Sequence, residues 1–213
     1  SKYPQSENSV AAIFASSLEK LQQKKLYGYL VHHFEFYQSH PQLWEKMKDL
    51  KAEGKIDKIG FSLYNTDQLQ YLLDNEVVFD VLQFPYNLFD RQFDTYLLYL
   101  KQCGVEIHTR SVFLQGLFFK NVRKLTDKLL PMKKYLEKLH EYCGISGISM
   151  EQLALNYVVS HPNIDGVLIG VDNCQQLQAN VDALQNGLRQ EDIDFISSIN
   201  VSEKELLNPV NWK

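Results

Sequence analysis

The feature that most constrains this chain is an alternation. Short apolar runs, "LYGYLVH" (26–32), "IDKIGFS" (56–62), "FDVLQF" (79–84), "VEIHT" (105–109) and "DGVLI" (165–169), are separated by amphipathic stretches. Near-continuous apolar runs suit strands buried on both faces. Strand, helix, strand in repetition demands a parallel sheet with helical crossovers. The helical pattern covers 9–24, 41–54, 66–75, 93–104, roughly 124–142, 150–160, 173–184 and a segment near 190–199. Pro41 and Gly54 bracket one of these helices, Thr66 or Asp67 caps the next, and Ser149 with Gln152 makes a capping-box-like start. No linker or low-complexity segment interrupts the pattern, which predicts a single domain over 1–213.

At 45% hydrophobic and 23% charged, the 213 residues can bury a sizeable core. The formal net charge of −4 argues against a nucleic-acid or anionic-membrane partner, since either would favour a basic face. No apolar run approaches the roughly 20 residues of a membrane span, and the start lacks a signal-peptide pattern. Cys103, Cys143 and Cys174 are odd in number and widely spaced, so neither a disulfide framework nor a zinc site is indicated. A cytoplasmic location is expected. The sequence is silent on oligomeric state.

Ligands of parallel α/β folds bind at the carboxyl ends of the strands. Here those ends are His32, Ser62, Gln83, Arg110 and Gly170. Neighbouring side chains on a strand face opposite ways, so His32 and His33 cannot both point into one site. His32 ends the run "YLVH" and is expected to face the ligand, with His33 turned away or opening the loop. There is no HExxH or HxxxH for a metal, no GxSxG elbow, and no GxGxxG or Walker loop. The strand ends also lack the acidic pair that glycoside hydrolysis needs.

These strand ends, in this order, resemble the aldo-keto reductase superfamily. "YLVH" is similar to the family's fourth strand, which places His32 at the catalytic histidine. "LKAEGKIDKIGFSLYN" is similar to its fourth helix and fifth strand, whose end supplies a serine and an asparagine for the nicotinamide carboxamide. Ser62 matches the serine, and Leu63 stands where the asparagine would be. "VLQFPYNLFDRQ" gives Gln83 as a further carboxamide ligand. "IHTRSVFLQGLF" resembles the seventh strand and the pyrophosphate loop, implicating Ser111, Phe113, Gln115 and Gly116. Arg110 takes the place of an aromatic residue that often stacks on the nicotinamide, and its planar guanidinium can stack too. "GVDNCQQLQAN" resembles the last cofactor segment, giving Gly170, Gln176 and Asn180. The basic residues some members use for the adenosine 2′-phosphate have no match, so both NADP(H) and NAD(H) remain open as cofactors.

The resemblance implies a (β/α)8 TIM-type barrel lacking the first two strands and most of the third, hence incomplete or open. Lys2 in "SKYP" matches the family's catalytic lysine, and the partner tyrosine and aspartate fall before Ser1. The implied activity is NAD(P)H-dependent reduction of aldehydes or ketones, small carbonyl compounds, to alcohols. His32 would orient the carbonyl, and Lys2 would lower the pKa of the missing tyrosine. Without that tyrosine the chain as written is expected not to reduce carbonyls and to need a partner segment. The alternative is a non-catalytic barrel that binds cofactor or ligand as a regulatory or scaffold subunit. No metal is implied.

Overall fold

The computed structural model describes residues 8–212, which group into two compact units. The first comprises the residues up to 84 together with 98–107, and the second comprises 85–97 and the residues from 108 onward.

In the first unit α1 (Asn8–Leu21), β1 (Leu26–Val31), α2 (Phe34–Ser39), α3 (Leu43–Ala52), β2 (Ile56–Ser62) and α4 (Thr66–Asp74) lead to β3 (Val81–Pro85). β1 runs parallel to β2 with Val31 opposite Phe61, and β2 runs parallel to β3 with Ser62 opposite Gln83. The amide of Glu106 donates to the Asp80 carbonyl, which brings the start of β4 (Glu106–Arg110) beside β3. Gly60 is required by this pairing. A Cβ there would lie 1.7 Å from the Val81 carbonyl oxygen.

The core of this unit forms where α3 turns Leu43, Trp44, Met47 and Leu50 inward, the i, i+1, i+4, i+7 stripe of an amphipathic helix. Trp44 stacks on Phe61 with ring centroids 4.5 Å apart. Asn65 caps α4 by accepting the Gln68 amide, one residue before the expected Thr66. A side chain one residue further back reaches the third helical amide better. Helix α2 was not expected. Its six residues bury Phe34 and Tyr37, a single turn too short to leave a periodic signature. Paired charges close the amino ends of the strands. Lys58 bonds Glu106, the Tyr27 hydroxyl donates to the same carboxylate at 2.6 Å, and Lys51 meets Asp80 at 2.6 Å.

The second unit takes the start of α5 (Asp94–Gln102) and β4 from His108, then α6 (Lys133–Ser146), α7 (Met150–Val159), β5 (Gly166–Val167), α8 (Cys174–Ala183) and α9 (Gln190–Ser197). β4 and β5 are parallel, with His108 opposite Gly166. The helix expected from 124 begins as 3-10 turns at Val122–Lys124 and Asp127–Met132, and becomes α-helical at Lys133. Pro131 explains the delay, because it lacks an amide and crowds the preceding turn. The fifth strand keeps two of its five expected residues, although the Leu168 amide still reaches the Thr109 carbonyl at 2.7 Å. Ser149 caps α7 through the Gln152 amide, but the Gln152 side chain turns to the carbonyls of Asn186 and Gly187, so the box is only half formed.

The described residues thus hold five strands, parallel in every recorded pairing. A (β/α)8 barrel has eight. The fold is parallel α/β and short of a full barrel's strand set.

Candidate functional site

In the first unit, strand pairing sets two polar side chains next to each other. Ser62 ends β2, Gln83 lies opposite it on β3, and the Ser62 hydroxyl donates to Gln83 Oε1 at 3.1 Å. Both residues are buried. The bond fixes the Gln83 amide and leaves its Nε2 hydrogens as donors. Leu63 is fully buried, and its own amide donates to the Gln83 carbonyl at 2.7 Å. The position where the family pattern has asparagine therefore belongs to the core and offers no side-chain amide. His32 is exposed, one residue past the end of β1, while His33 is half-buried at the start of α2. Both border an apolar groove of about 420 Å³ between α1 and β1. Lys2 lies outside the described residues.

The second unit contains a pocket of about 930 Å³. Its wall comes from the segment after β4, from the segment leading into α8, and from Glu151 on α7. Arg110, Ser111, Phe113, Gln115 and Gly116 line the first side, and Gly170, Gln176 and Asn180 line the second. Every cofactor position expected in this unit therefore borders one cavity.

The loop after β4 has an unusual backbone. Ser111, Leu114 and Gln115 have φ of 62°, 45° and 49°, and Gly116 has 75°. Such conformations cost an L-residue about 1–2 kcal/mol each and persist only where the surroundings enforce them. Here Val112, Leu114 and Leu117 are anchored in the core. The Leu114 amide donates to the Ser111 carbonyl, and the Leu117 amide to that of Leu114. Asn87, completely buried, donates from Nδ2 to the Ser111 carbonyl at 3.1 Å while its Oδ1 accepts the amides of Phe89 and Asp90. Backbone of this kind can turn successive amides toward one concavity, an arrangement that suits an anion such as a phosphate.

On the opposite wall, Asn173 caps α8 by accepting the Gln176 amide at 2.8 Å, and Gln176 Oε1 accepts the Asp172 amide at 2.7 Å. Gln176 thereby holds the turn that borders the pocket. Asn180 is 94% buried and faces the same cavity. Its amide can serve a ligand in that cavity as donor or acceptor.

The charges around the pocket are few. Arg110 donates to the Ser111 hydroxyl at 3.4 Å. Asp90 is pushed up to about 6 by burial, against the pull of its hydrogen bonds from Gln92 and of the cations Lys204 and Arg110. Glu151 and Asp172 are the acids of the wall. Sequence reasoning passed over Asn87, Glu151, Asp172 and Asn173. Asn173 carried a readable signal, a cap residue before a helical run. Glu151 carried none, because only folding brings α7 to the pocket. No group of three potential metal ligands occurs among the described residues.

Comparisons with known proteins agree with this geometry. The model of the Aldo/keto reductase family matches residues 1–201. The NADH-specific methylglyoxal reductase of Escherichia coli is 25% identical over 88% of this chain and 63% of its own, so the chain spans under two thirds of that relative's length. An aldo-keto reductase of Bacillus halodurans in its holo form superposes with a TM-score of 0.72 at 20% identity, covering 95% of this chain and 71% of that one. A Gox0644 variant in complex with NADPH gives a TM-score of 0.71 at 17% identity, over 94% and 68% of the two chains. A family match across nearly the whole length, on a fold these structures share, means that the chain belongs to the aldo/keto reductase family.

Proposed function

We propose that the protein is an NAD(P)H-dependent oxidoreductase that reduces small aldehydes or ketones to alcohols. The observation that carries this reading is the pocket of about 930 Å³ whose wall joins a left-handed loop, a capped helix turn and the buried Asn180. The names of relatives support it: one reduces methylglyoxal with NADH, and another has been solved with NADPH.

When bound, the reduced nicotinamide supplies a hydride to the carbonyl carbon. The chain's own residues bind and orient. Backbone amides of 111–116 receive the pyrophosphate, with Phe113, Gln115 and Gly116 shaping the cradle. Gly170 permits close approach, Gln176 holds its turn, and Asn180 donates to the adenosine half. Gln83 Nε2 would donate to the carboxamide oxygen, the Ser62 oxygen, its hydrogen already given to Gln83, would accept from the carboxamide NH2, and Arg110 would stack on the ring by its planar guanidinium. His32, rather than His33, orients the carbonyl oxygen, where negative charge grows in the transition state and fixed donors stabilise it. Lys2 holds the charge that favours a tyrosinate partner. Among the described residues no helix is long and apolar enough to cross a membrane. The three free cysteines fit a reducing cytoplasm.

Titration of the intact protein with NADPH and NADH tests the reading. Binding should appear with at least one of them, and Gln83→Ala and Asn180→Ala should each weaken it about ten-fold, the worth of a lost hydrogen bond or two. Turnover is followed as loss of reduced-nicotinamide absorbance with a short aldehyde. Absence of binding, or unchanged affinity in both variants, rejects the site.

A further inference from the structure

β1 differs from its neighbours in how little of it is covered. Its residues, Leu-Tyr-Gly-Tyr-Leu-Val, include no charge and no proline, and each is at least partly exposed, whereas β3 is buried throughout. It stands at one end of the sheet order and, among the described residues, pairs with β2 alone. The Leu26 amide donates to the Lys55 carbonyl at 3.0 Å, so Leu26, Gly28 and Leu30 turn their backbone groups toward β2. Tyr27, Tyr29 and Val31 turn theirs to the open side, by the alternation of a parallel ladder. Soluble proteins blunt such an edge with a charge, a proline or a bulge. β1 has neither of the first two, and its constant register with β2 leaves no bulge. The groove of about 420 Å³ beside it has no lysine, arginine, aspartate or glutamate in its lining.

Gly28 sharpens the question of what meets this edge. A Cβ there would touch nothing within 4 Å among the described residues, and its φ is not left-handed. Neither packing nor backbone conformation within the chain asks for glycine. Glycine inside a strand weakens it and often marks the close approach of another backbone.

A second copy of the same strand meets these conditions. In an antiparallel pairing about a twofold axis at Tyr29, Tyr29 faces Tyr29 of the second copy, Tyr27 faces its Val31, and Gly28 faces its Leu30. Every outward backbone group of Tyr27, Tyr29 and Val31 then finds a partner, in about six interchain hydrogen bonds. Moving the axis to Gly28 would keep about four within the strand. Gly28 and Leu30 form the non-hydrogen-bonded pairs, where side chains approach most closely. Each leucine therefore fills the space over the other chain's glycine, and the fit occurs twice because the contact is isologous. We propose that the edge of β1 is a self-association surface, on which β1 of a second copy of this chain adds as an antiparallel strand with Gly28 set against Leu30.

The test is sedimentation velocity of the intact protein, which should run as a dimer at roughly micromolar concentration. Gly28→Leu occupies the space that the second copy's Leu30 needs, while its own chain has room for the side chain. Dimerisation should weaken about ten-fold or more, and the unfolding midpoint at a dilution where both proteins are monomeric should hold or rise. Gly28→Lys, which places a charge on the edge, should act in the same direction. In hydrogen exchange the amides of Tyr27, Tyr29 and Val31 should be protected in the dimer and open in Gly28→Leu. Gly28→Cys combined with Leu30→Cys should lock the dimer under mild oxidation, since opposed positions lie about 4.5–5.5 Å apart at Cβ and residues two apart on one strand are too distant to bridge. The wild type, with its own three free cysteines, is the control. A monomeric wild type overturns the proposal, including one whose β1 amides are protected from within its own chain. So does a dimer that Gly28→Leu and Gly28→Lys leave intact, or one that the paired cysteines lock no better than the control.

Discussion

The two ends of the strands are built on opposite principles. At the amino ends, Glu106 is held by Lys58 and by the Tyr27 hydroxyl, and Asp80 is held by Lys51. At the carboxyl ends, Ser62 and Gln83 are buried polar groups joined by one bond, Ser111 and Gln115 hold left-handed backbone, and Asp90 is an acid driven toward its neutral form. One end has its interactions satisfied within the protein. The other keeps donors and strain that a ligand can use. Conserving energy at one end while storing it at the other is how parallel α/β folds separate stability from function.

The largest test of this contrast lies between the ends. Gly60→Ala places a Cβ against backbone rather than against a side chain that could swing away. Stability should fall by about 4 kcal/mol or more, measured by urea denaturation. A loss under 1 kcal/mol would show that β2 and β3 shift easily, and that the Ser62–Gln83 register is not held by backbone packing.

Asn87→Ala is the next in size. It removes the bond to the Ser111 carbonyl and the acceptor for two amides in a fully buried setting. Stability should drop by about 2–3 kcal/mol, and dinucleotide affinity should fall with it as the 111–116 loop relaxes. Full affinity in this variant would mean that the left-handed loop is held by its own core anchors alone.

Asp90 sharpens the contrast through pH. Its folded pKa of about 6 stands above the ordinary 3.8, so between those values the folded state binds a proton that the unfolded chain has released. Stability therefore rises as pH falls from about 6 to about 4, and the burden of the buried anion is fully felt above 6. Asp90→Asn should flatten this part of the pH–stability curve, with a gain on the order of 2 kcal/mol at pH 7. An unchanged slope would place the titration elsewhere. Asp192 should act with the opposite sign. Arg189 and the Tyr142 hydroxyl hold it down at about 2, so its contribution is present above pH 4 and is lost as pH falls toward 2.

The smallest effect is expected at the paired end. Lys58→Met should cost roughly 1 kcal/mol, since the pair with Glu106 is partly exposed, and dinucleotide affinity should not change. A loss of affinity would join the amino ends to the ligand site and break the contrast.

Much of this was legible in the chain itself. The strands at Leu26–Val31, Ile56–Ser62 and Glu106–Arg110 follow from apolar runs, and the ordered strand ends carried the family motifs. Lys2, which those motifs also name, lies outside the described residues. Other features had no local signal. Helix α2 is a single turn stabilised by what Phe34 and Tyr37 pack against, and α6 waits for Pro131 to pass. The Leu63 side chain enters the core, and Glu151 reaches the pocket from a helix of its own.

What the sequence determined is what neighbouring residues decide among themselves: periodicity, caps and the order of polar strand ends. What tertiary structure decided is what distant residues impose on one another. Gly60 is indispensable because Val81 lies across from it. Ser111 is left-handed where buried Asn87 grips its carbonyl. Local patterns arise from backbone geometry and so are written in the order of residues. Close approach, burial and the sum of charges around a cavity exist only once the chain has folded, and they set how the site is strained and which ligand it takes.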